Sequence, residues 1–210
     1  VVAYRSYTDQ SLAAHIIGTV RKINAEEYAE LKDSGYGIND EIGESGIEKA
    51  CEADLRGTPG EKTVTIDAEG NVNETVTKEP VQGDTIVLTI DKDMQKIAEK
   101  KLRKICLKTS GVATGAVVVE DVHSGEILSA ANYPTFNLDE YYSDYQKLAS
   151  NSKKPLFNRF AMSAFAPGST FKPLMAVAGL EEGKITKDTY FYCNHTFKIS
   201  DMTFKCTGSH

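Results

Sequence analysis

No stretch of the sequence approaches 18 consecutive apolar residues, so nothing in it reads as a membrane-spanning helix, and its first residues lack a secretory-signal pattern. Positive charge is not in excess. The 24 Lys and Arg stand against 30 Asp and Glu, a net charge of −6, which argues against a nucleic-acid reader built on phosphate contacts. Cysteine is sparse, with four in 210 residues, too few for a disulfide-built scaffold. With 6 prolines and 16 glycines the chain is neither collagen-like nor low-complexity. What is left is a globular composition, 40% apolar and 26% charged, at a length that holds one domain or two small ones. The chain opens on Val1-Val2 with no Met, from which we expect an upstream segment that it lacks.

The few cysteines divide into two kinds. Cys51 and Cys106 lie on expected helix faces and read as small buried hydrophobes. Cys193 and Cys206 flank the alternating stretch 196–205, which carries a turn signal near Ile199–Asp201 and so predicts a β-hairpin. Such a turn would bring the two cysteines nearly opposite one another. Three states stay open: a disulfide in an oxidising compartment, free thiols, or zinc held with His195 and His210 in an unorthodox Cys-x-His…Cys-x3-His spacing.

Along the chain, 24–32 reads as a short polar helix. Ser45-Gly46-Ile47-Glu48 fits a capping box, predicting a helix to about Leu55 that Gly57 and Pro59-Gly60 stop. The alternating runs 62–67 and 72–77 around Ala68-Glu69-Gly70-Asn71 predict a hairpin. Residues 79–84 read as a linker, so we divide the chain into 1–82 and 83–210. Beyond it, 85–90 reads as a strand. Asp91 caps a helix over 92–108, with Met94, Ile97, Ala98, Leu102, Ile105 and Cys106 at helical spacing. Residues 115–120 and 126–131 read as paired strands, 133–155 as a long loop with short helical pieces, and a last helix runs from near Ser169 to Gly183.

Chemistry concentrates in Ala166-Pro167-Gly168-Ser169-Thr170-Phe171-Lys172-Pro173. The ring of Pro173 clashes with the carbonyl four residues back, which puts a helix start near Ser169. Residues i and i+3 share a helix face, so Lys172 lies beside Ser169. A serine hydroxyl becomes a nucleophile when a base takes its proton, and a lysine is that base when burial or positive potential lowers its pKa. The helix N-terminus supplies such potential. Phe165, Phe171 and Leu174 are placed to desolvate the amine, and backbone N–H groups at the helix start can face an oxyanion. With 14 Ser and 19 Lys, about one Ser-x-x-Lys is expected by chance. The pair alone therefore reads more readily as an ordinary helix start than as a catalytic pair. A second match, Ser150-Asn151-Ser152-Lys153, lies in a polar loop and reads as solvated.

The surrounding residues add specificity. Pro167-Gly168-Ser169-Thr170-Phe171-Lys172-Pro173, preceded by Leu156-Phe157-Asn158-Arg159, closely resembles the active-site segment of the class B penicillin-binding proteins, the monofunctional D,D-transpeptidases of peptidoglycan. Gly115-Ala116-Val117-Val118-Val119, Ser124-Gly125-Glu126-Ile127-Leu128-Ser129 and Tyr133-Pro134 resemble the strands that open their transpeptidase domain. Gly83-Asp84, Leu88-Thr89-Ile90-Asp91 and Gln95 resemble its entry. Gly43-Glu44-Ser45-Gly46-Ile47-Glu48, Leu55-Arg56-Gly57-Thr58-Pro59-Gly60 and Arg5 with Ala13-Ala14-His15-Ile16-Ile17-Gly18 resemble the non-catalytic pedestal. Several motifs in the family's order are far more specific than Ser-x-x-Lys.

The resemblance implies an α+β fold: a partial pedestal of dimerisation type at 1–82, then the N-terminal part of a transpeptidase-like domain at 83–210, helices packed on an antiparallel sheet. It implies Ser169 as nucleophile and Lys172 as general base, with Asn158, Arg159 and Thr170 toward substrate, and no cofactor. Partners implied are peptidoglycan stem peptides, β-lactams and a glycosyltransferase of the wall machinery. The implied location is the outer face of the cell membrane, through an N-terminal anchor that this chain lacks, which favours a Cys193–Cys206 disulfide. The family's Ser-x-Asn and Lys-Thr/Ser-Gly motifs do not occur here, so we expect a segment that is inactive by itself. Competing readings are a β-lactam sensor, a serine β-lactamase and a non-catalytic interaction scaffold. A segment of this kind also predicts that the paired strands over 115–131 lack sheet neighbours and expose an apolar face.

Overall fold

The computed structural model describes residues 5–109, 111 and 114–206. They build eight α-helices and eight short strands, the strands paired in four two-stranded antiparallel sheets. This is the α+β mixture expected from the sequence. The chain forms two compact units that meet in sequence at Ser163 and Ala164.

The first unit begins with α1 (Ala14–Ile17), β1 (Val20–Lys22), α2 (Ala25–Leu31), β2 (Glu41–Gly43), α3 (Gly46–Ala50) and α4 (Glu52–Leu55). The polar helix is present as α2, and Asn24 caps it: its side chain accepts from the Glu27 N–H at 2.9 Å while Glu27 reaches back to the Asn24 N–H at 3.2 Å. The capping box expected at Ser45 does not form. The Ser45 Oγ accepts instead from the Thr19 N–H at 3.1 Å, and Glu48 pairs with Arg5 at 3.0 Å. The helix there also breaks at Cys51 into α3 and α4. Gly18 and Gly46, both at positive φ, let two backbones cross: a Cβ on Gly18 would lie 1.9 Å from the Ser45 carbonyl oxygen.

The predicted hairpin is β3 (Glu61–Ile66) and β4 (Val72–Lys78), exposed on both faces. The stretch read as a linker folds back on the chain. Thr58 and Val81 exchange backbone hydrogen bonds at 2.8 and 2.9 Å, and the Asp84 N–H donates to the Asp54 carbonyl at 2.7 Å. The strand expected over 85–90 is absent. Here only Thr89, through its hydroxyl to the Ile127 carbonyl, and Asp91, through its N–H to the Leu128 carbonyl, touch the neighbouring strand edge, too few bonds for a ladder.

Helix α5 (Lys92–Lys108) has the bounds its periodicity predicts, and the Asp91 side chain caps it by accepting from the Met94 N–H at 2.7 Å. Leu102 and Cys106 are buried against Ala131, with Ala98, Val117 and Tyr133 around them, whereas Ile97 and Ile105 are exposed. Among the described residues β5 (Gly115–Glu120) and β6 (Ile127–Tyr133) pair only with each other, and Val118 is 48% exposed. The segment read as a long loop contains the nine-residue α6 (Tyr141–Ala149), and α7 (Arg159–Met162) follows. A second core joins Ala14 of α1 to Phe136, Leu138 and Tyr141, so packing crosses the sequence boundary placed at 82 and 83.

In the second unit a 3-10 turn over Gly168–Phe171 leads into α8 (Lys172–Glu181). The expected terminal hairpin follows as β7 (Thr196–Ile199) and β8 (Met202–Lys205), turning at Ser200-Asp201. Phe197, Ile199, Met202 and Phe204 share one face of that ribbon, and Lys198, Thr203, Thr196 and Lys205 the other.

Candidate active site

Ser169 lies in the 3-10 turn and Lys172 is the first residue of α8, its backbone N–H donating to the Ser169 carbonyl. Gly168 supplies a φ of 56° to open the turn. Pro173 occupies the second position of α8, where its missing N–H costs no helical bond. Thr170 closes the turn: its hydroxyl donates to the Pro167 carbonyl at 2.6 Å, and its N–H to the same oxygen at 3.3 Å. Ser169 and Lys172 are therefore offset by one turn at a helix start, both exposed. Phe165, Phe171 and Leu174 do not bury the amine as expected; they are themselves 69%, 44% and 58% exposed.

Asn158 and Arg159 belong to the first unit, where both are tied into the fold. The Asn158 Oδ1 caps α7 by accepting from the Ala161 N–H at 3.2 Å. Arg159 is buried, and its guanidinium donates to three carbonyls of the preceding loop: Lys153 at 2.5 Å, Lys154 at 3.0 Å and Phe157 at 3.2 Å. Burial lowers its pKa from the usual value, and the carbonyl dipoles stand where a carboxylate otherwise would. The loop that precedes α7 is thus wound around Arg159.

Three side chains of the first unit make long-range bonds that the sequence did not show, Gln95 having entered only through the resemblance. Asn132, buried in β6, accepts from the N–H groups of Arg159 and Phe160. Gln95, fully buried on α5, pairs with Ala130. Glu99, one turn on, accepts from the Ala13 N–H. None carries a local motif; each acts across 27 or more residues.

At the terminal hairpin the Cys206 N–H donates to the His195 carbonyl at 2.9 Å, so His195, rather than Cys193, stands opposite Cys206 in the register. Among the described residues no group of three or more His, Cys, Asp or Glu is gathered for a metal, and His210 of the zinc alternative lies outside them.

Comparison with known proteins gives these residues a setting. The Penicillin-binding Protein dimerisation domain matches residues 1–88, and the Penicillin binding protein transpeptidase domain matches 115–207. Peptidoglycan D,D-transpeptidase MrdA of Acinetobacter baumannii is 35% identical over 85% of the chain, and that of Salmonella typhimurium 33% over 93%. The penicillin-binding protein PBP2 of Helicobacter pylori, solved alone and with MreC, superposes with a TM-score of 0.74 at 28% identity over 95% of the chain. The chain spans 26% and 32% of the two MrdA proteins and 37% of the solved PBP2 chain. Two domain matches in order, relatives along nearly the whole sequence and a shared backbone give one result: the chain belongs to the class B penicillin-binding proteins.

Proposed function

We propose that the full-length protein is a serine D,D-transpeptidase that cross-links peptidoglycan, with Ser169 as nucleophile and Lys172 as general base. The observation that carries this reading is the Ser-x-x-Lys turn at the start of α8, inside the transpeptidase-domain match. The Ser169 Oγ attacks the penultimate D-alanyl carbonyl of a stem peptide while Lys172 takes its proton. The tetrahedral intermediate collapses, the proton passes to the departing D-alanine amine, and an ester on Ser169 remains. An amine of a second stem attacks that ester, forms the cross-link and returns the proton to Ser169. The Ser169 N–H is one donor to the developing oxyanion.

A β-lactam enters the same chemistry by opening its ring on Ser169, and it provides the test. Labelled penicillin should attach to the full-length protein at Ser169, and Ser169→Ala should abolish labelling. An adduct that survives Ser169→Ala, or none on the parent, overturns the mechanism. Rapid deacylation would point instead to a β-lactamase.

The names of the relatives support a place in peptidoglycan synthesis, for which we propose the outer face of the cell membrane and a glycosyltransferase partner; the neighbour solved in complex with MreC supports a protein partner. Among the described residues no helix is long and apolar enough to cross a membrane. That setting favours a Cys193–Cys206 disulfide. Mass with and without reductant tests it, a 2 Da gain on reduction being the expected result.

A further inference from the structure

We infer that Glu99 is a positioning residue that locks α1, in the dimerisation-domain region, to β6, in the transpeptidase-domain region, by holding both the Ala13 N–H and the Gln95 carboxamide. Gln95 and Glu99 lie one turn apart on the same face of α5. Gln95 is fully buried and uses its whole amide. Its Oε1 accepts from the Ala130 N–H and the Ser129 hydroxyl, each at 2.8 Å, and its Nε2 donates to the Ala130 carbonyl at 2.9 Å. The side chain therefore meets both backbone groups of Ala130, as a neighbouring strand would. The second hydrogen of Nε2 goes to the Glu99 Oε1 at 2.8 Å.

The same Glu99 oxygen accepts from the Ala13 N–H at 2.8 Å, across 86 residues. Ala13 is an unusual donor. It precedes the four-residue α1, has no side-chain cap, is buried, and sits in the left-handed region at φ 55° and ψ 27°. A non-glycine residue in that region costs on the order of 1–2 kcal/mol and persists where its surroundings hold it. Glu99 is the side chain that reaches its N–H. Burial raises the Glu99 pKa, while the two donors act in the opposite direction. Lys92 and Lys96 on the same helix are engaged by Asp9 at 2.7 and 3.4 Å, a second tie between the N-terminal segment and α5.

If Glu99 is the joint, loosening it frees both ends. Amide hydrogen exchange of the full-length protein reads this directly. Glu99→Leu should speed exchange at Ala13 and at Ala130 together, by tenfold or more, with the exposed β3–β4 hairpin unchanged. Glu99→Gln keeps an acceptor oxygen and should restore protection at both. Glu99→Asp, shorter by one methylene, is the milder variant should Glu99→Leu not fold, and should loosen the same two places. Faster exchange at Ala13 alone, a uniform rise along the chain, or no rescue by Glu99→Gln would overturn the inference. These readouts do not involve Ser169, so they decide independently of the transpeptidase mechanism.

Discussion

The side-chain oxygen of Asn132 accepts from the backbone N–H of Arg159 at 3.0 Å, and this one bond fixes where α7 begins. The same oxygen takes the Phe160 N–H at 3.3 Å, and the Asn132 Nδ2 donates to the Asn158 cap at 3.3 Å. Strand β6 thus holds the first turn of α7. Asn132→Ala leaves the Arg159 and Phe160 donors without their acceptor in a buried place, a loss of about 1–3 kcal/mol. Urea unfolding should show a lower midpoint of that size. Asn132→Asp, which keeps the acceptor oxygen for both donors, should lose less.

His15 makes stability depend on pH. Its Nε2–H donates to the Pro155 carbonyl at 2.8 Å and its ring packs edge-on against Phe136. Burial lowers its pKa from 6.5 to about 4, so the fold holds the neutral ring. Between those values the unfolded chain binds a proton that the native chain refuses. The full contribution is therefore present above pH 6.5 and drains away as pH falls toward 4, by up to ~3 kcal/mol. Glu99, raised by burial, acts oppositely just above its ordinary value, since there the native chain binds the extra proton. His15→Gln keeps a donor and removes the titration. Urea midpoints at pH 5 and pH 7 should differ for the parent and converge in this variant.

These two cases show what could be read from the sequence. Helix α5 was legible to the residue because everything that sets its bounds is local: the Asp91 cap, the Leu102–Cys106 spacing and the basic last turns. The hairpins were legible for the same reason, since alternation and turn residues lie within a few positions of each other. Ser45 misled because its hydroxyl had a better partner in Thr19, 26 residues away. At the site, Pro173 and Ser-x-x-Lys announced the helix start. Asn132 and Glu99 announced nothing, and Gln95 only its place in the entry motif, because a polar residue in an apolar strand or helix looks the same whether or not a distant partner awaits it.

Gly18 offers a steric test. Its φ is 88°, and an added Cβ would fall 1.9 Å from the Ser45 carbonyl oxygen, where no side chain rotation relieves the clash. Gly70, in the β3–β4 turn, has a similar φ of 86° but open space around its Cβ. Gly70→Ala should cost only the left-handed penalty, about 1 kcal/mol. Gly18→Ala adds backbone displacement between α1 and α3 and should cost well over ~3 kcal/mol. Thermal melts of the two variants separate the terms, and similar losses would mean that the backbone crossing is soft.

Thr170 decides between two uses of one hydroxyl. The resemblance to penicillin-binding proteins points Thr170 toward substrate, while the structure has it donating to the Pro167 carbonyl at 2.6 Å, which closes the turn that carries Ser169. If closing the turn is its work, any residue that keeps the hydroxyl serves. Thr170→Ser should then acylate with labelled penicillin near the parental rate, and Thr170→Val, similar in shape without the donor, should acylate several-fold more slowly at saturating penicillin. The apparent penicillin affinity should hardly move, because the loss lies in aiming the nucleophile. A hydroxyl that instead binds substrate would show the reverse split, with affinity falling in Thr170→Val and the saturated rate kept.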